Sequence, residues 1–402
     1  MVQTIIFMVL LICLVVTVIV GVVRAIFFLV NKIKKLPTEK NKARIKQSVV
    51  FLLGGIVLLC GFVLLSQLLS RTPDIVNDEQ NPSVISLSEL RKVNLNGRKE
   101  WISIRSKDIN NPVLLFLAGG PGGSQMAAVR YDLSALENEF TVVNWDQPGS
   151  GKSYYALAQG DLTVDTYIED GLALTEYLRS EFKQEKIYVV GESWGSALGI
   201  FLVKRAPELY CAFIGTGQMV DFLETEKIDY EKALEIATAK NDSAIISKLK
   251  ESGPPPYYGK DVTWKSATYL NYLSSYMSNN PEIQNGGYQT FRDIFASEYG
   301  MLDKINYLRG VVNTFNQVYP QLYEYDLREY ASQLEVPVYF FLGKHDVNAP
   351  LSITENYYEI LQAPKKEIIW FEHSGHSPWI NESDKFIEEV IKVKMADKYG
   401  LN

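Results

Sequence analysis

Two long apolar runs open the chain. Ile5 to Val23 carries no charge and the apolar character resumes after Arg24 to Val30, while a second uncharged run extends from Ser48 to Leu69. Each reaches the roughly 20 residues that a helix needs to cross the hydrocarbon layer of a bilayer. The pattern predicts two membrane-spanning helices, at about 5–30 and 48–69, in an anchor covering residues 1–71. The first run lacks a basic start and a small-residue cleavage site and is too long for the core of a signal peptide, so it reads as a span. The intervening loop, Asn31 to Gln47, holds Lys32, Lys34, Lys35, Lys40, Lys42, Arg44 and Lys46. The excess of positive charge in cytoplasmic loops places this segment inside, both chain ends outside, and the rest of the protein extracellular in a two-span cell-membrane topology.

A polar stretch with Pro73 and Pro82 follows and reads as a linker over 72–83. Short apolar runs then alternate with helical spacing. Arg91–Asn96 and Glu100–Arg105 flank Gly97 as a hairpin; Val113–Leu117, Phe140–Trp145, Lys186–Val190, Val336–Leu342 and Glu367–Phe371 read as buried strands. Thr163–Phe182, Trp194–Arg205 and Ile380–Met395 have helical periodicity. Such alternation predicts an α/β fold, a mostly parallel sheet with helices on both faces, over 84–218 and 331–402. Between 219 and 330 the strand signal stops. That stretch is helical in pattern, contains Pro254-Pro255-Pro256 and holds 13 of the 24 tyrosines, so it reads as a helical cap.

Charge and cysteine usage narrow the partners. Net charge is −7; nine basic residues against one acid through Arg71 give that segment +8, so the remainder carries −15. An acidic main domain argues against nucleic acid as a partner. Of the three cysteines, Cys13 and Cys60 lie in the apolar runs, leaving Cys211 without an internal disulfide partner.

The candidate chemistry sits where strands end. Gly191-Glu192-Ser193-Trp194-Gly195 fits the G-x-S-x-G nucleophile elbow, between a strand and a helix. A serine needs a base at neutral pH, and in this arrangement the acid and then the histidine follow in the chain. Of three histidines, His376 lies in a Ser-Gly-His turn directly after one late strand, and Asp346 directly after another. His373 and His345 compete for the base role with less suitable placement. Without an H-E-x-x-H helix, the histidines do not read as a metal site. Ala118-Gly119-Gly120-Pro121-Gly122-Gly123 follows Val113–Leu117 and is positioned to complete an oxyanion hole, with Gly120, then Gly119, beside the Trp194 N–H. Asp146–Ser153 imitates a nucleotide-binding loop, but Asp146 stands where that loop needs glycine, so no nucleotide is expected.

Together these motifs resemble the prolyl aminopeptidase (proline iminopeptidase) branch of the α/β hydrolases, over roughly residues 85 to 402. The matching segments are Ala118–Gly122, Asp146–Ser153, Gly191–Ser196, Gly343–Asp346 and Gly375–His376. The resemblance implies a helical cap and cofactor-free hydrolysis at the N-terminal residue of short peptides. It departs at three positions: Ala118 for a histidine, Pro148 for an arginine and Glu192 for a glycine. In the family, acidic cap residues bind the substrate's free amine; Glu224, Glu226, Glu231 and Glu298 are candidates here. Gly119, Glu192 and Glu224 are the expected substrate-binding residues beyond the triad. Two other readings stand beside this one: a carboxylesterase or lipid hydrolase of the same fold, and a non-catalytic surface binding protein.

Overall fold

A computed structural model describes residues 2–76 and 84–398; most of the expected linker, 77–83, lies outside the described residues. The chain divides into two compact units, residues 1–71 with 295–305, and residues 72–294 with 306–402.

In the first unit, α1 (Val2–Ile33) and α2 (Glu39–Leu68) form an antiparallel pair. Both are long and apolar enough to cross a membrane. Arg24 is tied to the second helix, donating to Ser48 Oγ (2.9 Å) and the Arg44 carbonyl (3.0 Å). Of the glycines in α2, Gly55 faces the Leu14 side chain, where a Cβ would be crowded, whereas Gly54 and Gly61 face open space. The segment 295–305 fastens to the end of α2: Arg71 N–H donates to the Ser297 carbonyl (2.9 Å) and Met301 N–H to Ser66 Oγ (2.9 Å).

The second unit is built on eight strands: β1 (Leu87–Leu95), β2 (Arg98–Ser106), β3 (Val113–Leu117), β4 (Thr141–Asp146), β5 (Ile187–Glu192), β6 (Tyr210–Thr216), β7 (Val338–Gly343) and β8 (Lys366–Phe371). Their order is β1-β2-β4-β3-β5-β6-β7-β8. β1, β2 and β4 pair antiparallel, and β4 through β8 run parallel. Asn96 and Gly97 both adopt positive φ in the β1–β2 turn, the backbone that a two-residue hairpin requires. Side chains of β3 alternate between two cores, Val113, Leu115 and Leu117 on one face and Leu114 and Phe116 on the other. This is why the parallel strands read as unbroken apolar runs.

Helices cover both faces: α3 (Met126–Asp132), α4 (Val164–Phe182) and α5 (Trp194–Arg205) precede the insertion. Between β6 and β7 the described chain is helical, with α6 (Phe222–Ala239), α7 (Ser243–Ser252), α8 (Val262–Ser278), α9 (Thr290–Ile294), α10 (Met301–Arg309), α11 (Phe315–Val318) and α12 (Leu327–Tyr330). Tyr230, Tyr257 and Tyr269 join Ala233, Leu249, Val262 and Leu273 in a separate small core. After β7 come α13 (Leu351–Ile360), α14 (Pro378–Asn381) and α15 (Ser383–Lys398). The single terminal helix expected from Ile380 is thus broken at Glu382, whose carboxylate turns back to accept from His373 N–H (2.8 Å) and Ser374 Oγ (2.7 Å).

Candidate active site

Parallel strands bring their C-terminal ends to one edge of the sheet, where ligands bind in open α/β folds. Here that edge gathers the loops after β3, β5, β6, β7 and β8. Leu117 pairs with Gly191, Glu192 with Thr216 and Gly343 with Phe371, so loops far apart in sequence emerge side by side.

Ser193 sits at φ 52°, ψ −123° between β5 and α5, a strained backbone for a residue with a side chain. The elbow closes because glycine stands at both flanks: a Cβ on Gly191 would overlap the Gly195 carbonyl, and one on Gly195 the Leu117 carbonyl. Ser193 N–H donates to the Thr216 carbonyl (3.0 Å). Trp194 opens α5, so its N–H belongs to the first helical turn and has no intrahelical acceptor. Gly119 lies against the serine, its Cβ position 3.3 Å from Ser193 Cβ. Gly120, at φ +127°, turns the same loop through a conformation that favours glycine.

Asp346 is held by its own turn, with Oδ1 accepting from the Asn348 (2.8 Å) and Ala349 (3.0 Å) N–H groups. His376 Nδ1 lies 3.0 Å from Asp346 Oδ2 and 3.2 Å from Oδ1. The two loops pack so closely that a Cβ on Gly343 would overlap the Gly375 carbonyl. From β6, Gly217 (φ +51°) backs the imidazole; a Cβ there would stand 2.8 Å from His376 Cε1. Burial is the largest single influence on this histidine and lowers its pKa. The Asp346 carboxylate, by charge and hydrogen bond, and Glu192 together outweigh it and raise the value to about 9.

Ser193, His376, Gly119, Gly120 and Glu192 line one cavity of about 620 Å³. Its other walls are largely apolar, with Trp264 and Phe315 among them, and Leu308 and Trp264 stand 56% and 63% exposed. A second cavity of about 350 Å³ adjoins it at His376 and Tyr288 and is lined by Asn271, Ser274, Asn348 and Asn381 among others.

The structure separates the competing histidines from this site. His345 Nε2 faces the Glu372 carbonyl (3.1 Å) and the Glu282 carboxylate (3.3 Å), and His373 Nδ1 faces the Glu282 carbonyl (3.2 Å). The expectation for Glu224 is corrected. Its carboxylate pairs with Arg328 (2.6 Å), alongside Asp221, and takes no part in the cavity walls. Glu231 is exposed on α6, and Glu226 is enclosed by Tyr269, Tyr319 (2.7 Å) and Ser266 (3.2 Å). Burial pushes the Glu226 carboxyl up to about 7 against those three hydrogen bonds. Among the described residues no group of three or more His, Cys, Asp or Glu is arranged to hold a metal ion.

Sequence reasoning missed Gln147. Its Nε2 donates to the Ala118 carbonyl (3.1 Å) and its Oε1 accepts from Trp194 Nε1 (2.9 Å), so it ties the glycine loop to the helix after Ser193. Asp146, before it, accepts from Ser124 Oγ and from Lys152 N–H (2.7 Å), and fills its own loop with a carboxylate.

The α/β hydrolase fold family matches residues 112–237. Over 322 residues the chain is 31% identical to the probable aminopeptidase YbaC of Bacillus subtilis, covering 77% of this chain and 98% of that protein. The chain belongs to the α/β hydrolases, in their prolyl aminopeptidase-like branch. This hydrolase is also 26% identical over 300 residues to a proline iminopeptidase of Saccharolobus solfataricus, covering 73% of this chain and 87% of that one. A solved proline iminopeptidase-related protein of Thermus thermophilus shares the fold, with a TM-score of 0.51 at 20% identity, over 77% of this chain and 98% of its own.

Proposed function

We propose that this hydrolase is a membrane-anchored serine aminopeptidase acting on short peptides. Ser193 attacks the carbonyl carbon of the peptide's first residue, and His376 Nε2 takes the serine proton. The N–H groups of Trp194 and Gly120 receive the oxyanion, each worth about 3 kcal/mol in comparable enzymes. His376 then returns the proton to the leaving amine, and water repeats the sequence on the acyl-enzyme. Asp346 fixes the imidazole tautomer and stabilises the imidazolium that forms. The observation that carries this reading is the 3.0 Å approach of His376 Nδ1 to Asp346 in a histidine that shares a cavity with Ser193. Likeness to a probable aminopeptidase along 98% of that relative's length supports the amide substrate.

The test pairs a fluorophosphonate probe with a panel of aminoacyl anilides and simple esters. Labelling that disappears in Ser193→Ala and turnover of free-amine anilides are expected. Absence of labelling in the intact protein would instead leave a binding protein on a hydrolase fold. A carboxylesterase or lipid hydrolase is the second reading, favoured by the apolar cavity walls and the exposed Trp264 and Leu308; esters cleaved while anilides survive would establish it. Anchoring rests on α1 and α2 with the basic loop between them, and a protease-protection assay on intact cells reads the proposed external face.

A further inference from the structure

Glu192 precedes Ser193 and is 1% exposed. Its Oε1 accepts from Ser377 Oγ (2.6 Å) and Trp379 Nε1 (2.8 Å), and its Oε2 from Gln125 Nε2 and Tyr288 OH. All four donors are neutral, and no lysine or arginine pairs with it among the described residues. A buried carboxylate ordinarily has a cation beside it, because neutral donors offset only part of the cost of removing a charge from water. Among the described residues Glu192 is also the one carboxylate in the walls of the 620 Å³ cavity, and the adjoining cavity contributes none. Glu224, Glu226 and Glu231 are engaged or directed elsewhere, as described above, and Glu298, the fourth candidate, is not among the residues that line either cavity.

We propose that Glu192 receives the free α-ammonium group of the substrate's first residue, from the elbow itself rather than from the helical insertion. This rests on the aminopeptidase reading and names the group that makes the enzyme select an N-terminus. The reach is suitable. The Cβ position of Gly119 is 3.5 Å from Glu192 Oε2 and 3.3 Å from Ser193 Cβ, so serine and carboxylate flank the same glycine. In an aminoacyl substrate the α-nitrogen is two bonds from the carbon that Ser193 attacks.

The charge balance couples this contact to the base. The imidazole of His376 faces Asp346 from the β7 turn and Glu192 from the elbow. Tyr288 from the insertion donates to Glu192, Tyr307 from the insertion lines the same cavity, and the charges of Glu192 and Asp346 act on Tyr307 and on Asp229 of α6 respectively. Both carboxylates favour the imidazolium in the free enzyme. An ammonium on Glu192 offsets one of them, so the bound substrate favours the neutral imidazole that accepts the serine proton. Substrates without the amine leave the imidazolium in place.

Wild type and Glu192→Gln are compared on an alanyl p-nitroanilide, its N-acetyl derivative and p-nitrophenyl acetate, from pH 6 to 10. The wild type should prefer the free amine over the N-acetyl compound, and the variant should lose at least about tenfold of that preference, as when one partner of a buried charge pair is removed. The rising limb of ester kcat/KM should also move to lower pH in the variant. A preference that survives in Glu192→Gln, or a parallel loss on all three substrates with an unmoved limb, overturns the assignment. Wild-type enzyme that hydrolyses the ester and ignores the free-amine anilide removes the aminopeptidase reading itself, and this one with it. Should the variant not fold, the wild-type profiles decide. Free-amine kcat/KM should be bell-shaped, falling as the substrate amine loses its proton near about pH 8, while ester kcat/KM only rises; identical shapes overturn the proposal.

Discussion

Replacing Asp346 by asparagine keeps the shape of the carboxylate and removes its charge, which makes it a direct test of how His376 is tuned. In the wild type the histidine's pKa stands at about 9 against an ordinary 6.5. At pH 7 about one molecule in a hundred then carries the neutral imidazole that can act as base. Ester kcat/KM should therefore climb about tenfold per pH unit from pH 6 and level off near 9. In Asp346→Asn the Asp346 charge and hydrogen bond no longer oppose burial, and Glu192 alone favours the cation. The limb should move down by about two pH units. The plateau should fall by about 10⁴-fold, because the carboxylate also fixes the tautomer.

The same shift makes a stability statement. A histidine whose folded pKa is raised stabilises the fold fully below its unfolded value of 6.5, and that contribution is lost as pH rises through about 9. The difference corresponds to about 3.5 kcal/mol at most, taking about 1.4 kcal/mol per pH unit. Urea midpoints of the wild type should fall across pH 6.5 to 9 by more than those of Asp346→Asn. A wild-type limb centred near 6.5 that stays put in the variant would refute this account of the base.

Two further outcomes concern residues at the site and a third concerns a buried acid on β2. Gly217→Ala forces a side chain into φ +51° and against His376 Cε1; it should cost about 1–2 kcal/mol of stability and about a hundredfold in kcat, since misplacing a catalytic group by an ångström has that effect. Gln147→Leu strands the buried Ala118 carbonyl and Trp194 indole N–H, so its melting temperature should drop by the equivalent of about 1–3 kcal/mol per group, and kcat should fall more than KM rises. Glu100 lies buried with Oε2 accepting from Trp145 Nε1 (2.7 Å) and Oε1 unpartnered; burial first, then Asp170, pushes its carboxyl up to about 9. Its folded pKa exceeds the unfolded one, so stability is full below pH 4.5 and falls as pH rises toward 9. Glu100→Gln should be more stable than the wild type at pH 8 and lose that advantage at pH 5 in denaturant titrations.

What the sequence discloses here is chemistry that is local in the chain. Leu117 running into glycines, a serine between Gly191 and Gly195, and an acid and a histidine each following a late strand are recognisable because each loop carries its own constraint, and a parallel sheet places all such loops at one edge. The strand β6 escaped notice for a physical reason. Its Tyr-Cys-Ala-Phe-Ile-Gly-Thr run comes only four residues after α5, and a short apolar run does not by itself tell strand from helix. With it went Gly217, whose bare backbone lets His376 approach. Glu224 misled because residue type and region were right while helix face was not, and its partner Arg328 lies 104 residues away. Glu192 shows the same limit from the other side. Its presence in the elbow is plain in the sequence, but its environment is assembled by Gln125, Tyr288, Ser377 and Trp379 from separate segments. A pKa or a charge balance is a sum over neighbours in space, so the residues proposed to react are legible one loop at a time, and the field that tunes them becomes legible only when the loops are brought together.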